Sequence, residues 1–293
     1  MLNLAHAIEE NFITHHPEVQ SSFEKTRLRL QETDTSLLAL PLEEELKILE
    51  DLSQTKLGQF LLKNRGLNGE WTAYIIRKTP QSNFENDLEE WIINNAPVVQ
   101  ATRERSQIFQ QKIQKQVPKG GTFASIPCGL MDDLLTLNAP HLQLVGIDID
   151  EQSLSLAKKN ALHHQKDQVS SFIKKDAWHL NTQNQYSLIA SNGLNIYERN
   201  DNKVIDLYKE FYDSLVPGGI LVTSFLTPPP WDKANVDDLK KQKAIFGDIL
   251  QASWQHFRSE SQTRQQLEAA GFTILEIIYD TQRLFPTVVA QKE

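Results

Sequence analysis

The sequence predicts an α/β domain with a mostly parallel sheet covered by helices on both faces, preceded by a helical region. Three observations predict this class. After Gly121, short apolar runs alternate with helical patterns, which is typical of parallel strands joined by helices. Those runs are apolar at most positions, as expected of strands buried on both faces. Residues 1–117 show helical spacing without such alternation. We place a domain boundary near "PKGG" (Pro118–Gly121), between a helical domain (1–117) and an α/β domain (118–293).

Three helices are expected before that boundary. "PLEEELKILEDL" (Pro41–Leu52) begins with a proline, continues with acids and carries leucines at helical spacing. "FENDLEEWIINNAP" (Phe84–Pro97) has Asn86 as a candidate N-cap and ends near its proline. The third helix is expected over Pro97–Val117.

Strands and helices alternate after the boundary. The strand candidates are Thr122–Ile126, Leu142–Ile147, Ser170–Ile173, Tyr186–Ala190 and Ile220–Phe225. The helix candidates are Met131–Leu137, Glu151–His163 and Asp201–Leu215. "VPGG" (Val216–Gly219) is predicted to be a tight turn before the fifth strand, and a proline-rich loop follows Thr227.

The end of the chain departs from this alternation. Two β-rich runs, Phe272–Asp280 and Phe285–Lys292, are joined by a short loop. This spacing predicts an antiparallel hairpin at the sheet edge.

Composition narrows the class of protein. Hydrophobic residues make up 40% of the 293 residues, enough to form a core. The net charge is −8 at pH 7, so we expect no nucleic-acid partner, because phosphate binding needs a basic face. Cys128 is the single cysteine, which excludes an intrachain disulfide and favours a reducing, cytoplasmic location. "MLNLAHAIEENF" lacks a signal-peptide pattern and no apolar stretch approaches ~18 residues, so no membrane association is expected.

Candidate binding residues follow the strands, because open parallel sheets bind ligands beyond the carboxyl ends of their strands. Pro127-Cys128-Gly129 follows the first strand, where backbone N–H groups could approach a ligand; an ordinary turn is the alternative. Asp148 follows 19 positions after Gly129 and suits ribose hydroxyls. Asp150 is a second candidate for the ribose, but its position favours the N-cap of the next helix.

The third and fourth strands are also followed by polar residues. Asp176 could accept a hydrogen bond from an adenine amine and Trp178 could stack on the ring, although a solvated acid and a core tryptophan are the alternatives. Asn192, Gly193 and Asn195 form a polar cluster after the fourth strand.

Together these stretches resemble the class I S-adenosylmethionine-dependent methyltransferases over about Thr122–Lys292. The resemblance implies a seven-stranded sheet of order 3-2-1-4-5-7-6 with an antiparallel seventh strand, and S-adenosylmethionine as the cofactor. It places the following residues at the cofactor: Pro127, Cys128, Gly129, Asp148, Ile149, Asp176, Ala177, Trp178 and Asn192. The sequence departs from the family pattern at three positions: Pro127 and Met131 stand where glycines are common, and Ser125 replaces the acid often found in the first strand.

A finer resemblance, to a bacterial branch of these enzymes, extends upstream over "GLNGEWTAYI" (Gly66–Ile75) and "APVVQATRER" (Ala96–Arg105), and includes "SNGLNIYE" and "SFLTPPPW". It implies that the N-terminal helical domain covers the cofactor and lines the acceptor pocket. Trp71, Tyr74 and Arg103 are therefore candidate substrate residues, with core packing as the alternative for the two aromatic residues. Arg103 or Arg105 could meet the cofactor carboxylate, with a solvated helix face as the alternative.

The expected reaction is in-line methyl transfer to an unidentified, small-molecule acceptor. Asn192, Asn195 and Tyr197 are the candidate catalytic residues. No metal is expected, because the eight histidines form no HExxH pattern. A nicotinamide dehydrogenase, a protein methyltransferase and a non-catalytic scaffold that kept the fold are the alternatives. Cys128 as a nucleophile has no identifiable partner base. The sequence specifies neither the acceptor atom nor the oligomeric state.

Overall fold

The structure is a computed structural model that describes residues 17–138, 141–228, 235–253 and 256–293. Its α-helices, in chain order, are α1 (Pro17–Glu32), α2 (Leu42–Ser53), α3 (Lys56–Asn64), α4 (Gly69–Arg77), α5 (Asp87–Asn94), α6 (Pro97–Gln114), α7 (Asp132–Leu135), α8 (Glu151–His163), α9 (Asp201–Ser214), α10 (Val236–Gln242) and α11 (Glu260–Ala269). Its strands are β1 (Thr122–Ser125), β2 (Gln143–Asp148), β3 (Ser170–Lys174), β4 (Tyr186–Ser191), β5 (Leu215–Ser224), β6 (Phe272–Ile278) and β7 (Thr287–Lys292).

The described residues divide into two compact units. The first contains the chain up to Leu67, Thr79–Ala96 and Asn235–Ser253, and therefore α1, α2, α3, α5 and α10. The second contains Asn68–Lys78, Pro97–Ala234 and Trp254–Glu293, and therefore the sheet with α4 and α6. This division differs from the boundary expected near residue 117. The reason is that α4 and α6 pack with the sheet domain, although both precede the first strand in the chain.

Local sequence signals explain several helix ends. Asn86 is the N-cap of α5, as predicted, and its side chain accepts a hydrogen bond from the N–H of Glu89 at 2.9 Å. Pro41 directly precedes α2 instead of lying within its first turn. The helix α6 ends three residues before the predicted position, because Val117–Lys119 form a 3₁₀ turn that Gly120 ends with a φ of +71°.

The sheet has seven strands in the order β3-β2-β1-β4-β5-β7-β6. The pairs within β1 to β5 are parallel, and β7 is antiparallel to both β5 and β6. The predicted order and the terminal hairpin are therefore confirmed. In this hairpin β6 is the edge strand of the sheet, and β7 lies between β5 and β6.

The turn predicted before the fifth strand lies within that strand. Leu215 pairs with Tyr186 and Ile220 pairs with Leu188, so Val216–Gly219 bulge out opposite a single residue of β4. Gly218 has a φ of +75°, which suits glycine in such a bulge. The prediction placed the glycines at a sharp bend correctly but began the strand five residues too late.

Helices bury both faces of the sheet. Alternate strand residues such as Phe123 and Leu144 belong to one apolar cluster with α6, α7 and α8. Their neighbours Ala124 and Val145 belong to a second cluster with α9 and α11. Neighbouring residues of a strand face opposite sides of the sheet, so the two clusters cover its two faces. The loops at the ends of the strands remain accessible.

Among the described residues, no helix has both the length and the apolar content needed to cross a membrane. Residues 1–16, in which we predict no signal sequence, lie outside the described part of the chain, as do residues 229–234 of the proline-rich loop.

Candidate functional site

The loop after β1 is tied to the end of β2. The N–H of Cys128 donates to the carbonyl of Ile147 at 2.9 Å, and the N–H of Gly129 donates to Oδ2 of Asp148 at 3.0 Å. Gly129 and Met131 both have positive φ values, +49° and +61°. Met131 thus adopts the left-handed conformation that glycine usually takes, and its side chain is buried. The loop keeps a glycine-like backbone although only one glycine is present.

A carboxyl group lies beside Ser125, the position where the acid of the family pattern is missing. The hydroxyl of Ser125 donates to Oδ2 of Asp133 at 2.7 Å. Burial raises the pKa of Asp133 to about 7. Sequence reasoning missed this pair because the two residues are eight positions apart and in different elements.

Asp148 is the last residue of β2 and is 8% exposed. Its Oδ1 accepts from the N–H of Asp150 at 3.0 Å, while Oδ2 holds Gly129. Burial raises the pKa of Asp148, although these backbone hydrogen bonds oppose the increase. The backbone N–H of Ile149 also acts on this carboxylate. Because an ionised carboxylate offers about four acceptor positions, the group can still accept from a ligand.

The two residues after Asp148 have different roles. Asp150 is the N-cap of α8, as expected, and its carboxylate accepts from the N–H groups of Gln152 and Ser153. Ile149 is 66% exposed, although isoleucine is normally buried. This apolar side chain can therefore lie against a flat ligand at the carboxyl end of β2.

Asp176 follows β3 and caps a short 3₁₀ turn, Ala177–His179. Its Oδ1 accepts from the N–H of Trp178 at 3.0 Å, and its Oδ2 lies 2.9 Å from Nδ1 of His179. Trp178 is half-buried, and its Nε1 donates to the carbonyl of Lys203 at 2.9 Å. The arrangement fixes the aspartate and the tryptophan at the edge of the sheet near β2.

The three candidate catalytic residues lie after β4. Oδ1 of Asn192 accepts from the hydroxyl of Ser224, at the end of β5, at 3.3 Å. Asn195 is buried, and its Nδ2 donates to the Tyr208 hydroxyl at 2.8 Å. Tyr197 is 44% exposed, but partial desolvation of its phenol raises the pKa of Tyr197, so the phenol is protonated at neutral pH and can donate a hydrogen bond.

The helix α4 begins against the loop after β1, a contact that sequence reasoning missed. A Cβ placed on Gly69 would lie 2.5 Å from Cα of Gly129 and 3.4 Å from Oγ of Ser153. Nothing larger than glycine fits there without a shift of backbone. The side chain of Asn68 caps this helix by accepting from the N–H of Trp71 at 3.0 Å.

Trp71 and Tyr74 are half-buried and contact each other on α4. Their rings meet edge to face with centroids 5.1 Å apart. The ammonium of Lys78 lies 4.9 Å from the Tyr74 centroid. These aromatic residues stand on the helix that begins at Gly69.

Arg103 binds the end of the same helix. Its Nε donates to the carbonyl of Ile75 and its Nη2 to the carbonyl of Lys78, both at 2.8 Å. The guanidinium thus satisfies carbonyl groups at the C-terminus of α4.

Arg105 lies two residues further along α6 and is only 6% exposed, so the solvated helix face considered for it is wrong. Its guanidinium carbon lies 4.2 Å from the centre of the Phe285 ring. The sequence held a signal for its burial, because Ala101, Thr102 and Phe109 recur at helical spacing on the same face and are buried.

Two chemistries receive no support from this geometry. Burial raises the pKa of the Cys128 thiol, so the thiolate needed for a nucleophile is disfavoured. Within the part of the chain that the structure describes, no group of three histidine, cysteine, aspartate or glutamate side chains is arranged to hold a metal ion.

Comparison with known proteins agrees with the sheet order. A family model described as a methyltransferase domain matches residues 124–219. A possible exported protein from Bordetella parapertussis is 39% identical, with 94% of this chain and 95% of that chain covered and a TM-score of 0.89. No curated protein matches the sequence.

Two more distant structures share the fold. One is magnesium protoporphyrin IX methyltransferase from Synechocystis PCC 6803, with S-adenosylhomocysteine bound, at 17% identity, with 77% of this chain and 94% of that chain covered and a TM-score of 0.55. The other is the S-adenosylmethionine-dependent methyltransferase SibL, at 13% identity, 85% and 75% coverage and a TM-score of 0.52.

The domain match lies on β1 to β5, and the strand order that the resemblance implied is the order observed. The Bordetella relative extends the similarity over nearly the whole chain. The domain built on β1 to β5 therefore belongs to the class I S-adenosylmethionine-dependent methyltransferases.

Proposed function

We propose that this protein transfers the methyl group of S-adenosylmethionine to a small-molecule acceptor at the carboxyl edge of its sheet. One observation carries the proposal. The buried carboxylate of Asp148 accepts the N–H of Gly129 and still has acceptor capacity, next to the exposed side chain of Ile149.

The residues present fit the cofactor. Asp148 would accept hydrogen bonds from the ribose hydroxyls. Ile149 and Trp178 would contact the adenine ring, and Asp176 would accept from its amine with the lone pairs not used in capping. Gly69 and Gly129 have no side chains, so only backbone atoms lie where the two residues meet. Main-chain atoms of Pro127, Cys128 and Gly129 would therefore face the methionine end of the cofactor.

When bound, S-adenosylmethionine supplies a methyl carbon activated by its sulfonium. The chain has to orient the acceptor and exclude water. We assign orientation to Asn192 and to the protonated phenol of Tyr197, which can hydrogen-bond to an acceptor. Asn195 supports that turn through Tyr208. Trp71 and Tyr74 would form an apolar wall that excludes water.

We also propose a substrate-covering role for part of the N-terminal region, residues 1–117, and a cytoplasmic location. The helix α4 supports the substrate-covering role, because it starts against the cofactor loop and carries the aromatic pair.

The single, buried cysteine supports the proposed cytoplasmic location. Cell fractionation with an antibody to the chain tests the location, and recovery outside the cytoplasm would contradict it.

Calorimetric titration tests the proposed function. We expect S-adenosylhomocysteine to bind purified protein with a dissociation constant of about micromolar, and NAD not to bind. Binding of NAD alone would favour a dehydrogenase and overturn the proposal. Binding of neither would indicate a scaffold that retains the fold.

A second prediction concerns the exposed apolar side chain. Replacing Ile149 by Asp is expected to weaken S-adenosylhomocysteine binding by about three- to tenfold, because a charge next to Asp148 cannot pack on adenine. The matched control is Leu162→Asp, since Leu162 is 61% exposed and lies on α8 away from the strand end. Equal affinity of the Ile149 variant and the wild type would remove Ile149 from the cofactor site.

A further inference from the structure

Arg105 is a buried cation whose hydrogen-bonding capacity the fold does not use fully. Its side chain is more than nine-tenths buried, and its Nε and Nη1 have no hydrogen-bond partner among the described residues. Burial lowers the pKa of Arg105 to about 10, which leaves it protonated at neutral pH. Buried charge without hydrogen-bond partners costs free energy, so its retention calls for an explanation.

A second buried arginine shows how this fold satisfies a guanidinium. Arg258 is 4% exposed, and its Nε donates to Oδ1 of Asp201 at 2.9 Å. Its Nη1 and Nη2 donate to the carbonyls of Asn195 and Glu198 at 3.0 and 2.6 Å. All three nitrogens of Arg258 therefore have structural partners. Arg105 has comparable burial without such partners, which indicates a role other than holding loops together.

The loops that contact Arg105 show at which part of the sheet edge its guanidinium lies. A Cβ on Gly193, after β4, would lie 3.4 Å from Nη1 of Arg105, and Phe285 lies between β6 and β7. Both loops lie on the opposite side of β1 from β2 and β3, whose ends carry Asp148 and Asp176. The guanidinium is thus separated from the ribose and adenine residues by the central strand. The acceptor would therefore bind in the half of the carboxyl edge that contains the loops after β4 and between β6 and β7.

The neighbouring helix residue holds this position. Glu104 accepts hydrogen bonds from the N–H and the hydroxyl of Thr281 at 2.8 and 3.0 Å, which ties α6 to the loop between β6 and β7. The cation therefore sits on a helix fixed to the loop that carries Phe285. A rigidly held donor loses little entropy when a ligand binds.

We propose that Arg105 binds a carboxylate of the acceptor, and hence that the substrate is a small carboxylate-bearing molecule. This inference rests on the proposed methyl transfer. A singly charged group fits better than a phosphate, because Arg105 is one cation and the carboxyl group of Asp280 already acts on it. Asp280 does not hydrogen-bond to Nε or Nη1 of Arg105. The carboxylate oxygens of Asp280 accept instead from the N–H groups of Leu284 and Phe285. The phenol ring of Tyr197, which is 44% exposed and acts electrostatically on Arg105, favours an aromatic or otherwise flat acid.

The test uses benzoate as the probe and benzamide as its neutral counterpart, both titrated into the full chain saturated with S-adenosylhomocysteine. We expect wild-type protein to bind benzoate at least about tenfold more tightly than benzamide. Arg105→Met keeps bulk but removes the charge and is expected to abolish this preference, while Arg105→Lys keeps part of it. Lys115→Met, which removes an exposed cation just after α6, is the control and should behave as wild type.

Two results would overturn the proposal. One is equal binding of benzoate and benzamide to wild-type protein. The other is a loss of about tenfold or more in S-adenosylhomocysteine affinity in folded Arg105→Met with the benzoate preference intact, which would assign the guanidinium to the cofactor carboxylate. Failure of wild-type protein to bind S-adenosylhomocysteine would instead contradict the proposed function. Benzoate titration of the free protein then still decides whether Arg105 is an anion site.

Discussion

Replacing Asp148 by Ala is expected to weaken S-adenosylhomocysteine binding by at least about tenfold while the chain remains folded. The carboxylate would lose two kinds of interaction at once. It accepts the N–H of Gly129, which fixes the loop after β1, and it has lone pairs for the ribose hydroxyls. Burial raises the pKa of Asp148, which means that the ionised carboxylate is less favourable in the folded chain than in the unfolded chain. Removing this carboxylate should therefore not unfold the sheet.

Calorimetry measures the affinity, and circular dichroism checks the fold of each variant. Asp148→Asn provides an intermediate case, because its amide oxygen can accept from one backbone N–H but its amide nitrogen cannot accept from the other. The control is Asp206→Ala, on the exposed surface of α9, which should bind as the wild type does. An unchanged affinity in folded Asp148→Ala would remove this residue from the cofactor site.

Much of the sheet domain could be predicted because its signals are local. Strands buried on both faces appear as short apolar runs, and α8 has the predicted bounds, Glu151–His163, because Asp150 marks its start in the sequence. The strand order came from the family resemblance, since periodicity does not determine which strands pair. The bulge at Val216–Gly219 was misplaced because a glycine pair signals a bend without showing whether strand pairing resumes on both sides.

The candidate site was harder to predict because its decisive contacts join residues far apart in the chain. Asp148 could be identified from its spacing after Gly129, and the structure adds a hydrogen bond between the two. Arg103 and Arg105 receive the same prediction from the sequence, although only Arg105 shares a helix face with Ala101, Thr102 and Phe109. The first satisfies carbonyl groups at the end of α4, whereas the second is buried beside Phe285. Helical spacing could have indicated the burial of Arg105, but only tertiary packing shows which groups each arginine contacts.

Replacing Gly69 by Ala is expected to reduce S-adenosylhomocysteine affinity by about tenfold or more and to lower stability by about 1–3 kcal/mol. The added methyl group would lie 2.5 Å from Cα of Gly129, so either the start of α4 or the cofactor loop has to move. Gly129 cannot move freely, because its N–H is bound to Asp148 and the next turn is fixed by the buried Met131. The strain therefore acts on the backbone that would meet the cofactor.

Calorimetry and thermal unfolding measure the two effects separately. The matched control is Gly247→Ala, where the new methyl group would meet only the Lys243 side chain at 3.5 Å, an ordinary contact. If Gly69→Ala lost stability but bound S-adenosylhomocysteine normally, the contact would be purely structural, and α4 would have no role in forming the cofactor loop. If Gly69→Ala instead lost affinity while the folded protein remained the dominant species, residues before the first strand would complete the cofactor loop and compensate for its single glycine.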